Sequence, residues 1–460
     1  MTGTTDTFGS NELLFNAFEQ NCISLAYHSL WAHPESNRFD YLKPKFWIDL
    51  AKTLERGGFD TIFLADVVGV HDLYKGGYET AVELGMQTPG GDPSVLIPLM
   101  SSVTQHLGFV FTQSILQEPP FNFARRISTL DHITEGRVGW NIVTSHLASA
   151  ARNLGWDDLP EHDTRYAMAA EYLAICGALW EDSWLAGAVL RDKKNFRYAD
   201  PAKVRKINYE GKYYKVPGPH LSEPSPQRTP LLFQAGSSEA GRQYAATNAE
   251  GVFLDSSTPL GACGIIADVR QRAASVGRNP SDIRFFQGLT FVVGGSDEEA
   301  QKKNDSYVEY LRPEAFAAQL SSAVGGDVSV IDLETPLDQI KTNTMQGWLN
   351  SIRASAPNQQ WTLAKVLLWR RNRQIVGSPE RIADVLQEWK DAGIDGVNVS
   401  YVISPKSFED FADGLAPELR KRGLLKEEYR PGTLRQKFFG QGDYLNDRHP
   451  LKQSANVTTL

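Results

Sequence analysis

The sequence predicts an α/β fold, a (β/α)8 TIM barrel. Short apolar, β-branched segments alternate with helical ones along most of the chain, the pattern of a parallel sheet wrapped by helices. The segment Gly136 to His146, GRVGWNIVTSH, runs from β-formers straight into Asn141, Thr144, Ser145 and His146. Barrel strands all point their C-terminal ends at one face, where polar side chains gather without breaking the core. This segment therefore reads as the floor of a site, or else as a strand running into an ordinary Thr/Ser turn. With 460 residues, 41% hydrophobic and 22% charged, the chain can build one large core with insertions.

The elements follow in order. Leu14 to Phe18 reads as a first strand, and Phe46 to Arg56 as an amphipathic helix closed by Gly57 and Gly58. Thr61 to Ala65 is a buried strand ending at Asp66, Pro93 to Thr104 a helix, Leu107 to Thr112 a third strand, and Phe121 to Ile133 a helix. The Gly136 to His146 segment is the fourth strand, followed by a long helix from Thr164 to Trp180. Pro230 to Ala235, Gly251 to Asp255, Arg284 to Val293 and Gly396 to Tyr401 bring the strands to eight.

The expected organisation is a disordered lead-in over 1–12, one barrel over 13–430 and a C-terminal extension over 431–460. Two insertions interrupt the alternation. Residues 182–229 carry YEGKYYKVPGPH and read as a hairpin excursion ending in a Pro-rich connector. Residues 305–373, between the seventh and eighth strands, read as a lid over the site.

Net charge is −8 and the basic residues are scattered, so the footprint of a nucleic-acid binder is missing. Three dispersed cysteines, Cys22, Cys176 and Cys263, argue against a disulfide framework and a cysteine zinc site. The first ten residues have no basic and apolar leader pattern, and no run approaches the ~18 apolar residues of a spanning helix, so a soluble cytoplasmic protein is expected.

No G-x-G-x-x-G follows the first strand, and neither a P-loop nor H-E-x-x-H occurs. Gly236-Ser237-Ser238-Glu239, after a predicted strand and before a helix, offers backbone N–H groups, hydroxyls and a helix dipole to a phosphate. A plain serine N-cap at Ser237 or Ser238 is the commoner reading of such a segment taken alone. Arg165 and Tyr166 could add a cation and a phenol to that phosphate, or be a surface arginine and a core tyrosine. Asp66, at the end of an apolar strand, needs partners from a ligand or from nearby backbone. His146 is either a satisfied core histidine or a cofactor contact, and Cys22 either a small core residue or a pocket thiol.

Ordered blocks carry a family resemblance from about Leu14 to Tyr444: NAFEQNC, FLADVVGVHDLY, QTPGGDP, ARRISTLDHITEGRVGWNIVTSHLASAARN, EHDTRY, FQAGSSEAGR and YRPGTLRQKFFGQGDY. The chain resembles the reduced-flavin-dependent monooxygenases of the bacterial luciferase-like superfamily. Its branch is that of nitrilotriacetate, dibenzothiophene sulfone and dimethyl sulfide oxidation, and within it the long-chain alkane type is most similar. The resemblance implies a barrel of the luciferase-like type and a homodimer or homotetramer. Reduced FMN would come from a separate flavin reductase and react with dioxygen to a flavin 4a-hydroperoxide, which oxygenates a small organic substrate. It places Asp66, Thr112, Asn141, Thr144, His146, Tyr166, Ser237 and Ser238 at FMN, with Cys22, Gln87, His146 and Arg165 as polar catalytic-pocket residues. No metal, nucleic acid or membrane is implied.

The substrate side departs from the alkane type. Leu25 and His71 stand where that type has a histidine and a tyrosine, and Phe316 and Gln319 stand where it has histidines in the long insertion. Cys22, Leu25, His71, Phe316 and Gln319 therefore form the expected substrate wall, and the substrate stays open between alkane-like and sulfur- or nitrogen-containing molecules. Three alternatives use the same barrel, a deazaflavin-dependent oxidoreductase, a non-catalytic flavin-binding protein and a metal-independent hydrolase.

Overall fold

In the computed structural model, residues 12–339, 352–353, 356, 358–366 and 373–455 are described. The expected lead-in over 1–12 falls, but for its last residue, outside them, as does much of the second half of the 305–373 insertion.

Eight parallel strands close on themselves: β1 (Leu14–Gln20), β2 (Thr61–Ala65), β3 (Gly108–Ser114), β4 (Val138–Val143), β5 (Leu231–Gln234), β6 (Gly251–Leu254), β7 (Arg284–Val293) and β8 (Gly396–Ser400). Each pairs with its successor, and β8 returns to β1 with Leu14 opposite Gly396. A short strand, Ile375–Gly377, adds to the outer end of β7. These are the eight strands expected, shifted by a few residues at their ends. The expected Pro93 to Thr104 helix is broken into a 3-10 turn, Pro93–Leu96, and a short α-helix, Ile97–Ser101. Pro98 explains the break, because its ring denies the preceding turn an amide donor.

The period-two alternation of each strand sorts side chains between two cores. On β1, Phe15 and Ala17 face the surrounding helices, whereas Leu14 and Phe18 face the barrel interior. The interior holds Phe63, Val110, Leu231, Phe233 and Phe286, packed edge to edge; Phe63 and Phe233 lie 5.4 Å apart at 89°.

The C-terminal extension closes the N-terminal end of the barrel. Its helix Leu434–Phe439 inserts Leu434 and Phe438 among those interior residues, and Leu434 N–H donates to Gly136 O beneath β4. Arg435 anchors it through a buried pair with Glu250, at 2.7 Å, and through the carbonyls of Thr229 and Pro230. The helix Leu434–Phe439 thus forms the barrel's base plate.

The 182–229 excursion forms two small antiparallel hairpins, Val189–Asp192 with Arg197–Ala199 and Tyr209–Glu210 with Lys215–Val216. Within the 305–373 insertion, a helix runs from Pro313 to Val324 and packs Ala315 and Ala318 against Ala81 and Met86. Among the described residues no helix is long and apolar enough to cross a membrane.

Candidate active site

The polar floor begins where β3 and β4 run in register, with Thr112 opposite Asn141. Both side chains take inward positions, because Phe111 and Trp140 beside them belong to the outer core. Asn141 Nδ2 donates to Thr112 Oγ1 at 2.9 Å, while Asn141 Oδ1 is buried without a partner. Beyond β4 the chain turns sharply at Ser145, whose φ of +63° lies in the left-handed region that non-glycine residues avoid. Ser145 Oγ donates to Ser114 Oγ at 2.7 Å, which holds the turn and leaves Thr144 and His146 on either side of it.

His146 is partly buried, and no described residue accepts from or donates to its ring. Burial above all, helped by the neighbouring His71 and Arg165, pushes its pKa down to about 4, so the ring is neutral near pH 7. Arg165, on the helix His162–Gly177, donates to the carbonyls of Thr144, at 3.3 Å, and Ser145. Its Nε remains buried and unpaired, and burial lowers its pKa.

At the next residue of the same helix, the Tyr166 hydroxyl is flanked by Ser238 and Gln234. Ser238 caps the helix Glu239–Asn248 by accepting from Gly241 N–H at 3.1 Å, and its Oγ lies 3.3 Å from His162 Nε2. The starts of two helices therefore meet at one serine. A Cβ at Gly241 would come within 2.8 Å of both the Tyr166 hydroxyl oxygen and the Gly236 carbonyl carbon. Only glycine allows this approach of helix to strand. Ser237 is exposed beside it and uses its carbonyl to accept from Arg242.

Asp66 follows β2 and accepts from Gln117 Nε2 at 2.9 Å. Burial raises its carboxyl to about 6 despite that bond. A chain of hydrogen bonds runs from the end of β1, through the connection after β2, to Ser322. Gln87 Nε2 donates to Gln20 Oε1 at 2.9 Å, Gln87 Oε1 lies 3.0 Å from His71 Nε2, and His71 Nδ1 lies 2.7 Å from Ser322 Oγ. With Gln87 accepting, His71 carries its proton on Nε2 and accepts from the serine hydroxyl.

The remaining predicted residues sit differently. Cys22 is fully buried with its thiol pushed up to about 12 by burial, and its carbonyl accepts from Arg38. Leu25 is in the main core and donates its backbone N–H to Tyr401. Phe316 packs with Tyr27, Leu30, Val292 and Val402, and Gln319 carries a buried, unpaired Oε1.

Sequence reading missed Gln20, Gln117, Gln234 and Ser322. Their roles depend on partners 51 to 251 residues distant for Gln117 and Ser322, and no local motif marks such pairs. It also missed the buried pair beneath the mouth, Arg38 with Glu19 at 3.0 Å, which Ser404 completes by donating to the same carboxylate at 2.7 Å.

The C-terminal face of this barrel thus carries buried unpaired polar atoms at Asn141 and Arg165 and two helix starts at Ser238, at the end of the fold where barrel enzymes place their sites. The chain belongs to the Luciferase-like monooxygenase family, which matches residues 23–396. It is 43% identical over 447 residues to the dimethyl-sulfide monooxygenase of Hyphomicrobium sulfonivorans, covering 96% of this chain and 93% of the relative. It is also 43% identical over 452 residues to the long-chain alkane monooxygenase of Geobacillus thermodenitrificans (strain NG80-2), covering 98% and 99%. The solved structures of a long-chain alkane monooxygenase and of the Hyphomicrobium enzyme superpose with TM-scores of 0.89 and 0.90, at 42% identity, over at least 96% of either chain. A riboflavin lyase solved with modified FMN and riboflavin superposes with a TM-score of 0.90 at 33% identity, over 96% of this chain and 99% of the other. The class these relatives define is the two-component, reduced-flavin-dependent monooxygenases.

Proposed function

We propose that this chain is the oxygenase component that takes reduced FMN from a separate flavin reductase and oxygenates a small organic substrate, alkane-like or containing sulfur or nitrogen. The observation that carries this reading is a set of polar groups left without partners beyond β3 and β4: Asn141 Oδ1 and Arg165 Nε are buried and unpaired, and the His146 ring near Arg165 has no hydrogen-bond partner among the described residues. Buried polar atoms without partners are costly, and a polar ring system with a phosphate tail satisfies them. FMN in particular is supported by the phosphate seat and by the modified FMN in the related riboflavin lyase.

Reduced flavin, when bound, supplies the electrons that activate dioxygen. The protein positions and protects. Ser237, Ser238, Tyr166 and Arg165 hold the phosphate, and Thr112, Asn141 and Thr144 line the ring. Asp66 stands ready to accept from a ring N–H, with Gln117 keeping its second oxygen occupied. His146, neutral near pH 7, offers a hydrogen bond at the reactive edge without delivering a proton as an acid would. Gln87 and His71 close the substrate side, and the Pro313–Val324 helix acts as a lid that excludes water. Cys22 and Leu25 support that wall from the core. A cytoplasmic homodimer or homotetramer completes the proposal.

The test supplies reduced FMN and air with panels of alkanes, sulfides, sulfones and aromatic heterocycles, and seeks products heavier by one oxygen. Product with reduced FMN and none with reduced deazaflavin supports the reading. Failure to bind any flavin overturns it, and tight flavin binding with no product from any panel member points to a flavin-binding protein.

A further inference from the structure

The helix Pro313–Val324 carries Phe316, Gln319 and Ser322 at three-residue spacing, which places them along one stripe. Both ends of that stripe are fixed. Phe316 is seated in an apolar cluster with Tyr27, Val292 and Val402, and Ser322 reaches His71, which leads through Gln87 to Gln20 at the C-terminal end of β1. The stripe therefore faces the barrel mouth, with Gln319 at its centre. Gln319 Oε1 is buried there and has no hydrogen-bond partner, although Ser322 one turn away is satisfied. A buried carboxamide acceptor without a donor is unsatisfied, and a ligand donor would satisfy it.

We propose that Gln319 is a specificity-determining residue that accepts a hydrogen bond from the substrate. The substrate is then a compact molecule with an apolar body and a head group bearing O–H or N–H, and an unsubstituted alkane or simple dialkyl sulfide is a poor fit. The inference rests on the reading of this mouth as a substrate pocket and adds the class of molecule it takes. Phe316 supplies the apolar contact, and the His71–Ser322 bond keeps the helix in register so that Gln319 meets the head group rather than solvent.

The test compares two probes that differ only in a hydroxyl for a methyl, ω-hydroxybutyl methyl sulfide and pentyl methyl sulfide. Binding to the FMN-loaded protein is followed by calorimetry, and sulfoxide formation is followed with reduced FMN. The wild type binds the hydroxy probe at least about tenfold more tightly. Gln319→Leu abolishes that preference through KM, with FMN affinity unchanged, and Gln319→Glu, which keeps an acceptor in place, restores it. Equal binding of the two probes by the wild type overturns the inference whatever the variants do, and so does an unchanged preference in folded Gln319→Leu. If preference appears in binding but neither probe nor any member of the substrate panels is oxygenated, the oxygenase reading fails while the assignment of Gln319 stands; sulfoxide formation from both probes without preference fails Gln319 alone.

Discussion

Asn141 donates to Thr112 at 2.9 Å across the β3–β4 pair, and the same bond leaves Asn141 Oδ1 buried and unpaired. Thr112 thereby fixes which way the amide points, with its acceptor toward the mouth. Asn141→Leu removes that acceptor while keeping volume. Flavin affinity falls about tenfold or more, with the far-ultraviolet circular dichroism spectrum unchanged. Fluorescence titration of flavin checks it, and unaltered affinity would remove Asn141 from the floor.

Asp66 makes flavin binding depend on pH. Its carboxyl titrates near 6 in the free protein because burial penalises the charge, so below that value it is protonated and cannot accept from a ring N–H. Affinity falls as pH drops through about 6, and Asp66→Asn flattens the profile. Titrations from pH 5 to 8 on both proteins decide it.

Stability responds to the two groups with opposite signs. Asp66, with its folded pKa above the ordinary 3.8, costs stability when ionised, and the cost is relieved as pH falls from about 6 toward 4. His146, with its folded pKa near 4 against an ordinary 6.5, costs stability as pH falls through that interval, because the unfolded chain takes up the proton first. His146→Asn therefore makes the protein less acid-sensitive between pH 6.5 and 4, measured by urea midpoints. The same variant releases more hydrogen peroxide per reduced flavin consumed, and an unchanged coupling ratio contradicts the role given to His146.

Arg435 and Glu250 are joined at the base plate by a buried pair at 2.7 Å. Arg435→Met leaves Glu250 without its partner, a loss of about 3–5 kcal/mol. Phe438→Ala opens a void among Phe233, Phe286 and Leu434 and costs a similar ~3–5 kcal/mol. Both lower the thermal midpoint by several degrees while leaving flavin affinity of the folded protein intact.

The barrel was legible because β-branched strands and amphipathic helices write their periods locally. The polar ends at Asp66, Asn141 and Ser238 were legible for the same reason, since each interrupts an apolar run or opens a helix. The pairings were not. Nothing near Gln87 announces His71, and nothing near His71 announces Ser322, 251 residues later. The base plate was hidden similarly: RPGTLRQKFF reads only as part of a C-terminal extension until Phe438 meets Phe286, 5.8 Å away inside the barrel. Long-range side-chain complementarity leaves no period in the sequence.

The most direct test of the account is oxygen incorporation. The protein, reduced FMN and dioxygen labelled in both atoms with oxygen-18 are mixed with ω-hydroxybutyl methyl sulfide and with each accepted member of the substrate panels. The account predicts product carrying one labelled oxygen, formed only when reduced FMN is present. Product whose added oxygen comes from water, or product formed equally without flavin, would contradict it.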